Sequence, residues 1–142
     1  MTLAASAEVL RRHEMPIESE DDVVLVRRKV KQIAQVHGFD AFATAGLTTA
    51  TSEITRNVWV HARRGTAIIE ELSDGVRDGI RITFADEGPG IPDLPRVLQG
   101  GYSTARSLGL GLSGSRRLVD EMEIETEVGR GTTVRMVKWT RF

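Results

Sequence analysis

From Val23 to Ala62 the apolar residues of this 142-residue chain recur at helical spacing, and beyond Arg63, Arg64 and Gly65 they recur at a spacing of about two. An alternating run cannot cover a helix face and a helical stripe cannot lie within a sheet, so helices and strands must occupy separate layers. Before the change, Ser19 reads as a helix N-cap, with Glu20, Asp21 and Asp22 in the first turn where the macrodipole favours acid. VVLVRRKVKQIAQVH continues as an amphipathic helix with Val23, Val26, Val30, Ile33 and Val36 or His37 in phase, and Gly38 closes it. A second helix begins after Asp40 and runs to about Ala62, with Leu47, Ala50, Ile54 and Val58 as its apolar stripe. EVLRRHEMPI (8–17) reads as an opening strand, although its alternation is poor.

After the change, TAIIEEL (66–72) and IRITFAD (80–86) read as an antiparallel hairpin across SDGVRDG, with Ile80, Ile82 and Phe84 on one face. EGPGIPDLPRVLQGGYSTARSLGLG follows without periodicity, and a loop of that length in a compact domain is usually functional. LSGSRRLVDEM (112–122) has helical character. MEIETEV (122–128) and TTVRMVKW (132–139) form a second hairpin across GRG, with Ile124, Val134 and Met136 as core candidates. The expected architecture is α+β, a two-layer sandwich with a mixed, mostly antiparallel sheet carrying its helices on one face.

The length suits one domain, 1–142. A hydrophobic fraction of 40% and a charged fraction of 27% are those of a soluble globular protein. A net charge of -1 without a Lys/Arg block gives no footprint for nucleic acid. The N-terminal stretch lacks a signal-peptide core and no apolar run approaches membrane-spanning length, so a cytoplasmic protein free of membrane is expected. With no cysteine, thiol nucleophiles, disulfides and zinc-thiolate sites are excluded, and His13, His37 and His61 are too scattered to suggest a metal cluster.

Within TSEITRNVWVHA (51–62), Glu53, Asn57 and His61 stand at four-residue steps and so form one polar line on the helix. Glu53 and Asn57 each precede a stripe residue by one position, which puts the line about 100° round from the stripe, at the border of the core. Taken alone, a solvated helix face explains such a line. Three glycine motifs change the balance. DEGPGI (86–91) follows a strand: it is either a plain tight turn or a place where Gly88 and Gly90 admit a flat ring while Asp86 accepts a hydrogen bond from an amino group. GLGLSG (109–114) matches G-x-G-x-x-G, but neither a strand before it nor a parallel β-α-β unit accompanies it, so the dinucleotide reading is rejected. What survives is an anion site at a helix start, suited to phosphate. GRGTT (129–133) is an acceptable hairpin turn in which Thr132 can offer a hydroxyl.

The order of these pieces, E-x-x-x-N on a helix, D-x-G-x-G after a strand, G-x-G near a helix and G-T in a last hairpin, resembles the ATP site of the GHKL superfamily, the Bergerat fold of histidine kinases, gyrase B, Hsp90 and MutL. The chain is too short for the larger modules, and the wording TTATSEITRNVWVHA, DEGPGIPD, GGYSTARSLGLGLSGSRRLVDE and GTTV...KW is similar to the stand-alone anti-sigma-factor serine/threonine kinases, the RsbT-type switch kinases of the stressosome above all. The resemblance implies ATP and Mg2+ as cofactors. It implies Asn57 as the metal ligand, and Glu53 as the catalytic group that orients or deprotonates the attacking hydroxyl. It further implies Asp86 on the adenine amino group with Thr132 assisting, Gly88 and Gly90 making room for the base, and nucleotide contacts from Ile91, Leu110 and Leu112. Gly109, Gly111 and neighbouring amides would cradle phosphates, Arg106 would add a phosphate contact, and residues 92–108 would form an ATP lid. His61 is left as a structural hydrogen-bonder, and Trp59 and Trp139 as packing or partner-surface residues.

The partners that the resemblance implies are STAS-domain proteins as substrates and scaffold, a PP2C-type phosphatase or other downstream effector, and self-association as a weak homodimer. The second reading is an RsbW-like anti-sigma factor that sequesters a sigma factor and uses ATP to set partner choice. A third, a noncatalytic nucleotide sensor, is disfavoured by the presence of both Glu53 and Asn57.

Overall fold

The computed structural model describes residues 6–99 and 106–141, with the backbone alone for 106–110. Strand β1 (Glu8–Ile17) leads into helices α1 (Asp21–Val36) and α2 (Ala41–Asn57), a π-helical turn (Val58–Ala62), and the hairpin β2 (Gly65–Ser73) and β3 (Asp78–Asp86). Helices α3 (Leu94–Gln99) and α4 (Arg106–Leu118) and the hairpin β4 (Glu121–Glu127) and β5 (Gly131–Trp139) complete the chain. The five strands form one sheet in the order β1-β2-β3-β5-β4. Every described pairing is antiparallel, so the expected mixed sheet is antiparallel throughout.

The opening strand has the bounds read from the sequence; as an edge strand it buries only Ile17 fully, which is why its alternation is weak. Ser19 does not cap α1. The Asp22 carboxylate instead accepts from the backbone N–H groups of Glu18 (2.8 Å) and Ser19 (3.1 Å), and the charged acceptor reaching back takes the place of a hydroxyl reaching forward. Val23, Val26, Val30, Ile33 and Ala34 are buried, whereas Val36 is exposed because α1 ends there and Gly38, at φ 77°, turns the chain away.

Helix α2 is held between α1 and α4 and so is buried on two flanks. Its sequence fits that position: Leu47, Ala50 and Ile54 enter the core, while Thr51, Ser52 and Thr55 donate to carbonyls one turn back and so satisfy buried hydroxyls without an outside partner. Asp40 caps it by accepting from the N–H of Ala43 at 2.7 Å. Against these helices the sheet presents Ala67, Ile69, Ile80, Ile82, Phe84, Val134 and Met136, all buried, with Ile124 partly buried beside them. Each such large side chain contributes roughly 1.5–3 kcal/mol through burial.

Two elements differ from the sequence reading. The helix expected over 112–122 begins at Arg106 and ends at Leu118, and the stretch before it, read as a loop, contains α3; residues 100–105 of the span 92–108 lie outside the description. Buried Val97 and partly buried Leu94 and Leu98 anchor α3 on the core. The helix expected to run to Ala62 changes at Val58, where the N–H of Arg63 reaches the carbonyl of Val58 five residues back (3.0 Å). Arg63 then takes φ 68° and ends the helix without a glycine.

Candidate functional site

The inward alternation of β3 runs Ile80, Ile82, Phe84, Asp86, and that of β5 runs Thr132, Val134, Met136. Asp86 and Thr132 are register partners at one end of the sheet, so the period of two carries a carboxylate and a hydroxyl to the same face as the core. Burial pushes Asp86 above the ordinary carboxylate range, opposed by hydrogen bonds from the backbone N–H groups of Gly88 and Thr132. Gly88 donates to Oδ1 at 2.8 Å, an Asx turn that fixes the carboxylate. The pocket above is walled by apolar Ile54, Phe84, Leu112 and Val134, with Asp86, Thr132, Asn57 and His61 as polar groups at its edge. Pro89, Gly90 and Ile91 close its side.

Close approach requires glycine at two positions of this loop and its neighbour. A Cβ at Gly88 would lie 2.6 Å from the Cβ of Ala62, and one at Gly90 would lie 2.5 Å from the carbonyl of Glu127. The 86–91 segment is therefore clamped between the π-helical turn and the β4–β5 hairpin.

Glu53 and Asn57 lie on the flank of α2 that faces α4. Asn57 is 8% exposed, and its Nδ2 has no hydrogen-bond partner, a buried amide left without the bond such a group requires. A Cβ at Gly111 would lie 3.1 Å from that Nδ2 and 3.4 Å from Oε2 of Glu53, so α4 approaches both side chains at a residue without one. Arg56 stands 3.6 Å from Glu53, an exposed i,i+3 pair of small energetic weight. Leu112 lines the pocket, while Gly109 and Gly111 lie inside α4 rather than in a loop before it. The amides of α4 without intrahelical acceptors are those of its first turn, 106–109. The side chains of Arg106 and Leu110 lie outside the description.

The residues present fit a magnesium nucleotide. Asp86 is an acceptor aimed into a slot with apolar walls, suited to an adenine amino group. The amide oxygen of Asn57 would supply one hard ligand atom, and among the described residues no group of three or more His, Asp or Glu could form a protein cage for a metal. A magnesium ion held by one amide oxygen, phosphates and waters matches that donor set. Another concavity, about 930 Å3, lies at the opposite end of the sheet, where Phe39, Phe42 and Trp139 stand among the charged Arg77, Asp120 and Lys138, and it has neither the apolar slot nor the glycine loop of this site.

His61 differs from its expected role. It lines the pocket, burial lowers its pKa with the Asp86 charge opposing, and it forms no described hydrogen bond. Trp139 packs over Gly79 with Arg77 stacked 4.9 Å from its ring, and Trp59 carries Arg63 at 5.1 Å, packing roles as expected. Thr126 was not singled out from the sequence. Its signal was a hydroxyl in the alternation Met122, Ile124, Thr126, where an apolar residue continues the face.

A two-layer sandwich with this slot at one end of its sheet defines an ATP-binding enzyme domain of the Bergerat type. Residues 7–138 match the histidine kinase-like ATPase domain, and the chain belongs to that family. It is 39% identical over 125 residues, 88% of this chain and 94% of the relative, to the serine/threonine-protein kinase RsbT of Bacillus subtilis (strain 168). It is 33% identical over 99 residues, 67% of this chain and 69% of the relative, to the anti-sigma F factor of Caldanaerobacter subterraneus subsp. tengcongensis. Among solved structures, the RsbU and RsbW domains of a Mycobacterium tuberculosis protein share the fold, with a TM-score of 0.60 at 18% identity over 89% of this chain and 32% of that one. The SiaB-SiaC complex from Pseudomonas aeruginosa does so at 0.56 and 12% identity, over 92% and 90%. No helix among the described residues is long and apolar enough to cross a membrane.

Proposed function

We propose that the chain, one kinase domain over 1–142, is a cytoplasmic serine/threonine kinase that phosphorylates STAS-domain proteins and thereby switches partners in a stress-signalling pathway. The observation that carries this is the joint placement of Glu53 and Asn57, whose Nδ2 has no hydrogen-bond partner, against Gly111 and beside the Asp86 slot. The 39% identity to a serine/threonine-protein kinase over nearly the whole chain supports the enzyme class. Mg-ATP would supply the γ-phosphoryl group and the charge that metal binding neutralises.

The chain's own residues then divide the work. Asp86 accepts from the adenine amino group with Thr132 beside it, Gly88 and Gly90 leave room for the base, and Ile91 and Leu112 cover its faces. Asn57 offers its amide oxygen to magnesium. Glu53, one turn before it, takes up or orients the proton of the attacking hydroxyl. Gly109, Leu110 and Gly111 lead the α4 amides toward the phosphates, with Arg106 as a further cation, and residues 92–108 act as the lid. A PP2C-type phosphatase would be the effector bound once the kinase leaves its STAS scaffold, and a weak homodimer is part of the same reading.

The test is transfer from Mg-ATP to STAS proteins of the same genome, read by mass spectrometry. Phosphoserine or phosphothreonine on a STAS protein, absent with Glu53→Gln and with Asn57→Ala, is the expected result. The similarity to anti-sigma F factors supports a second reading, sequestration of a sigma factor. Nucleotide binding without transfer, together with capture of a sigma factor, would establish that reading instead.

A further inference from the structure

Asp86, Thr132 and Thr126 stand side by side across three strands, because Asp86 pairs with Thr132 and Thr132 with Thr126. Thr126 binds in three directions. Its Oγ1 accepts from the N–H of Ile91 at 2.9 Å, its hydroxyl donates to the carbonyl of Gly131 at 3.2 Å, and the Thr132 hydroxyl lies 3.0 Å away. Ile91 is the last residue of the glycine loop and immediately precedes the proposed lid. The same hairpin grips the loop elsewhere: the N–H of Gly129 donates to the carbonyl of Pro89 at 2.9 Å, and a Cβ at Gly90 would strike Glu127.

A hydroxyl has one proton. When Thr126 gives it to Gly131, the Thr132 hydroxyl must be the donor of the pair, and Thr132 then shows the pocket only lone pairs. When a ligand atom or bridging water draws the proton of Thr132, Thr126 turns its own proton to Thr132 and releases Gly131. The Ile91 bond survives both arrangements because it uses a lone pair.

We propose that Thr126 is a positioning residue of the nucleotide site, which sets the hydrogen-bond direction of Thr132 and pins the root of the lid through the N–H of Ile91. It acts through Thr132 and the loop, without touching the base. The proposal rests on the nucleotide-binding reading above, and the experiment separates the two.

Calorimetry with Mg-ADP on the full chain compares Thr126→Val, Thr126→Ser, Thr132→Val and the Thr126→Val/Thr132→Val pair, alongside amide hydrogen exchange at Ile91 without nucleotide. Thr126→Val is expected to weaken ADP about tenfold and Thr126→Ser less than about twofold, the difference following the hydroxyl rather than the volume. The loss in the double variant should be smaller than the sum of the two single losses, because both substitutions break the Thr126–Thr132 bond while only Thr126→Val also frees the N–H of Ile91. Exchange at Ile91 should quicken in Thr126→Val and not in Thr126→Ser. Additive losses, wild-type affinity in Thr126→Val, or failure of serine to rescue would overturn the proposal. If the wild-type chain does not bind Mg-ADP, the nucleotide reading falls; exchange at Ile91 then decides alone whether Thr126 pins the loop, and an unchanged rate ends that too.

Discussion

Gly111 faces Asn57 so closely that a Cβ added to the glycine would stand 3.1 Å from the amide nitrogen, with Oε2 of Glu53 at 3.4 Å. Gly111→Ala therefore sets two effects against each other. Alanine gains up to about 1 kcal/mol over glycine within a helix, while the new methyl displaces the two side chains the proposed chemistry needs. The expected outcome is a melting temperature at or near wild type with phosphoryl transfer down at least about tenfold, a displacement of the kind that costs rate more than stability. Thermal melting and a transfer assay on the same sample check it, and full transfer in this variant would remove Gly111 from the site.

The Asp86 carboxyl titrates above its ordinary value of 3.8 because it is buried, although the N–H groups of Gly88 and Thr132 hold it down in part. Protonation turns one of its oxygens into a donor, which an adenine amino group cannot use. Mg-ADP affinity should therefore weaken as the pH falls, beginning above 3.8. Asp86→Asn should bind about tenfold to a hundredfold more weakly at neutral pH and lose this dependence, since its amide does not titrate. Binding isotherms across pH decide the matter; equal acid sensitivity in both proteins would exclude Asp86 as the titrating group.

His37 bonds carboxylates with both ring nitrogens, Asp78 at 2.8 Å and Glu71 at 2.6 Å, and the other oxygen of Glu71 takes His13 at 2.6 Å. Two such contacts require the imidazolium form. Burial opposes that charge on His37, yet the bonds to Asp78 and Glu71 outweigh it and raise the pKa above 6.5. Burial would raise Glu71, but its bonds to His13 and His37 bring it below 4.5. A raised histidine stabilises fully below its unfolded pKa and loses that contribution as the pH climbs through the folded one; a depressed glutamate stabilises above its unfolded pKa and loses it as the pH falls. The network is thus complete between 4.5 and 6.5. Stability should decline on raising the pH from that window, and His37→Gln should cost about 1–3 kcal/mol within it and flatten the alkaline decline. Denaturant midpoints from pH 5 to pH 9 would check this.

Gly79 lies at the far end of β3 from Asp86, with Trp139 across it. A Cβ there would stand 2.6 Å from the indole. Gly79→Ala is expected to cost about 1–3 kcal/mol by overpacking. Mg-ADP affinity should stay at the wild-type value, so a joint loss of both would show that the two ends of the sheet are coupled.

Much of this was legible in the sequence where a period was long and unbroken. The stripe Leu47, Ala50, Ile54, Val58 is buried as read, and both hairpins fall where alternation placed them. The start of α4 was not legible, because GGYSTARSLGLG has no apolar period and glycine favours no helix; packing of Leu112 and Ser115 against neighbouring elements outweighs that poor propensity. The π-helical turn at Val58 leaves no mark in a pattern read at a fixed 3.6 residues per turn. Thr126 escaped notice because one hydroxyl within an alternating strand has no meaning until its neighbours across the sheet are known.

By itself the sequence determined the kinds and order of the elements other than α3 and the π-helical turn, since period, caps and glycine placement act locally along the chain. It also contained the polar line of Glu53 and Asn57, but not what that line meets. Only the tertiary structure decided that α2 is flanked on two sides, so that the line faces Gly111 of α4 and Asn57 is buried. The antiparallel register likewise set Asp86, Thr132 and Thr126 in one row, drawing together residues up to 46 positions apart, Asp86 and Thr132. Such a meeting depends on the joint packing of all the elements, and no stretch of chain encodes it alone.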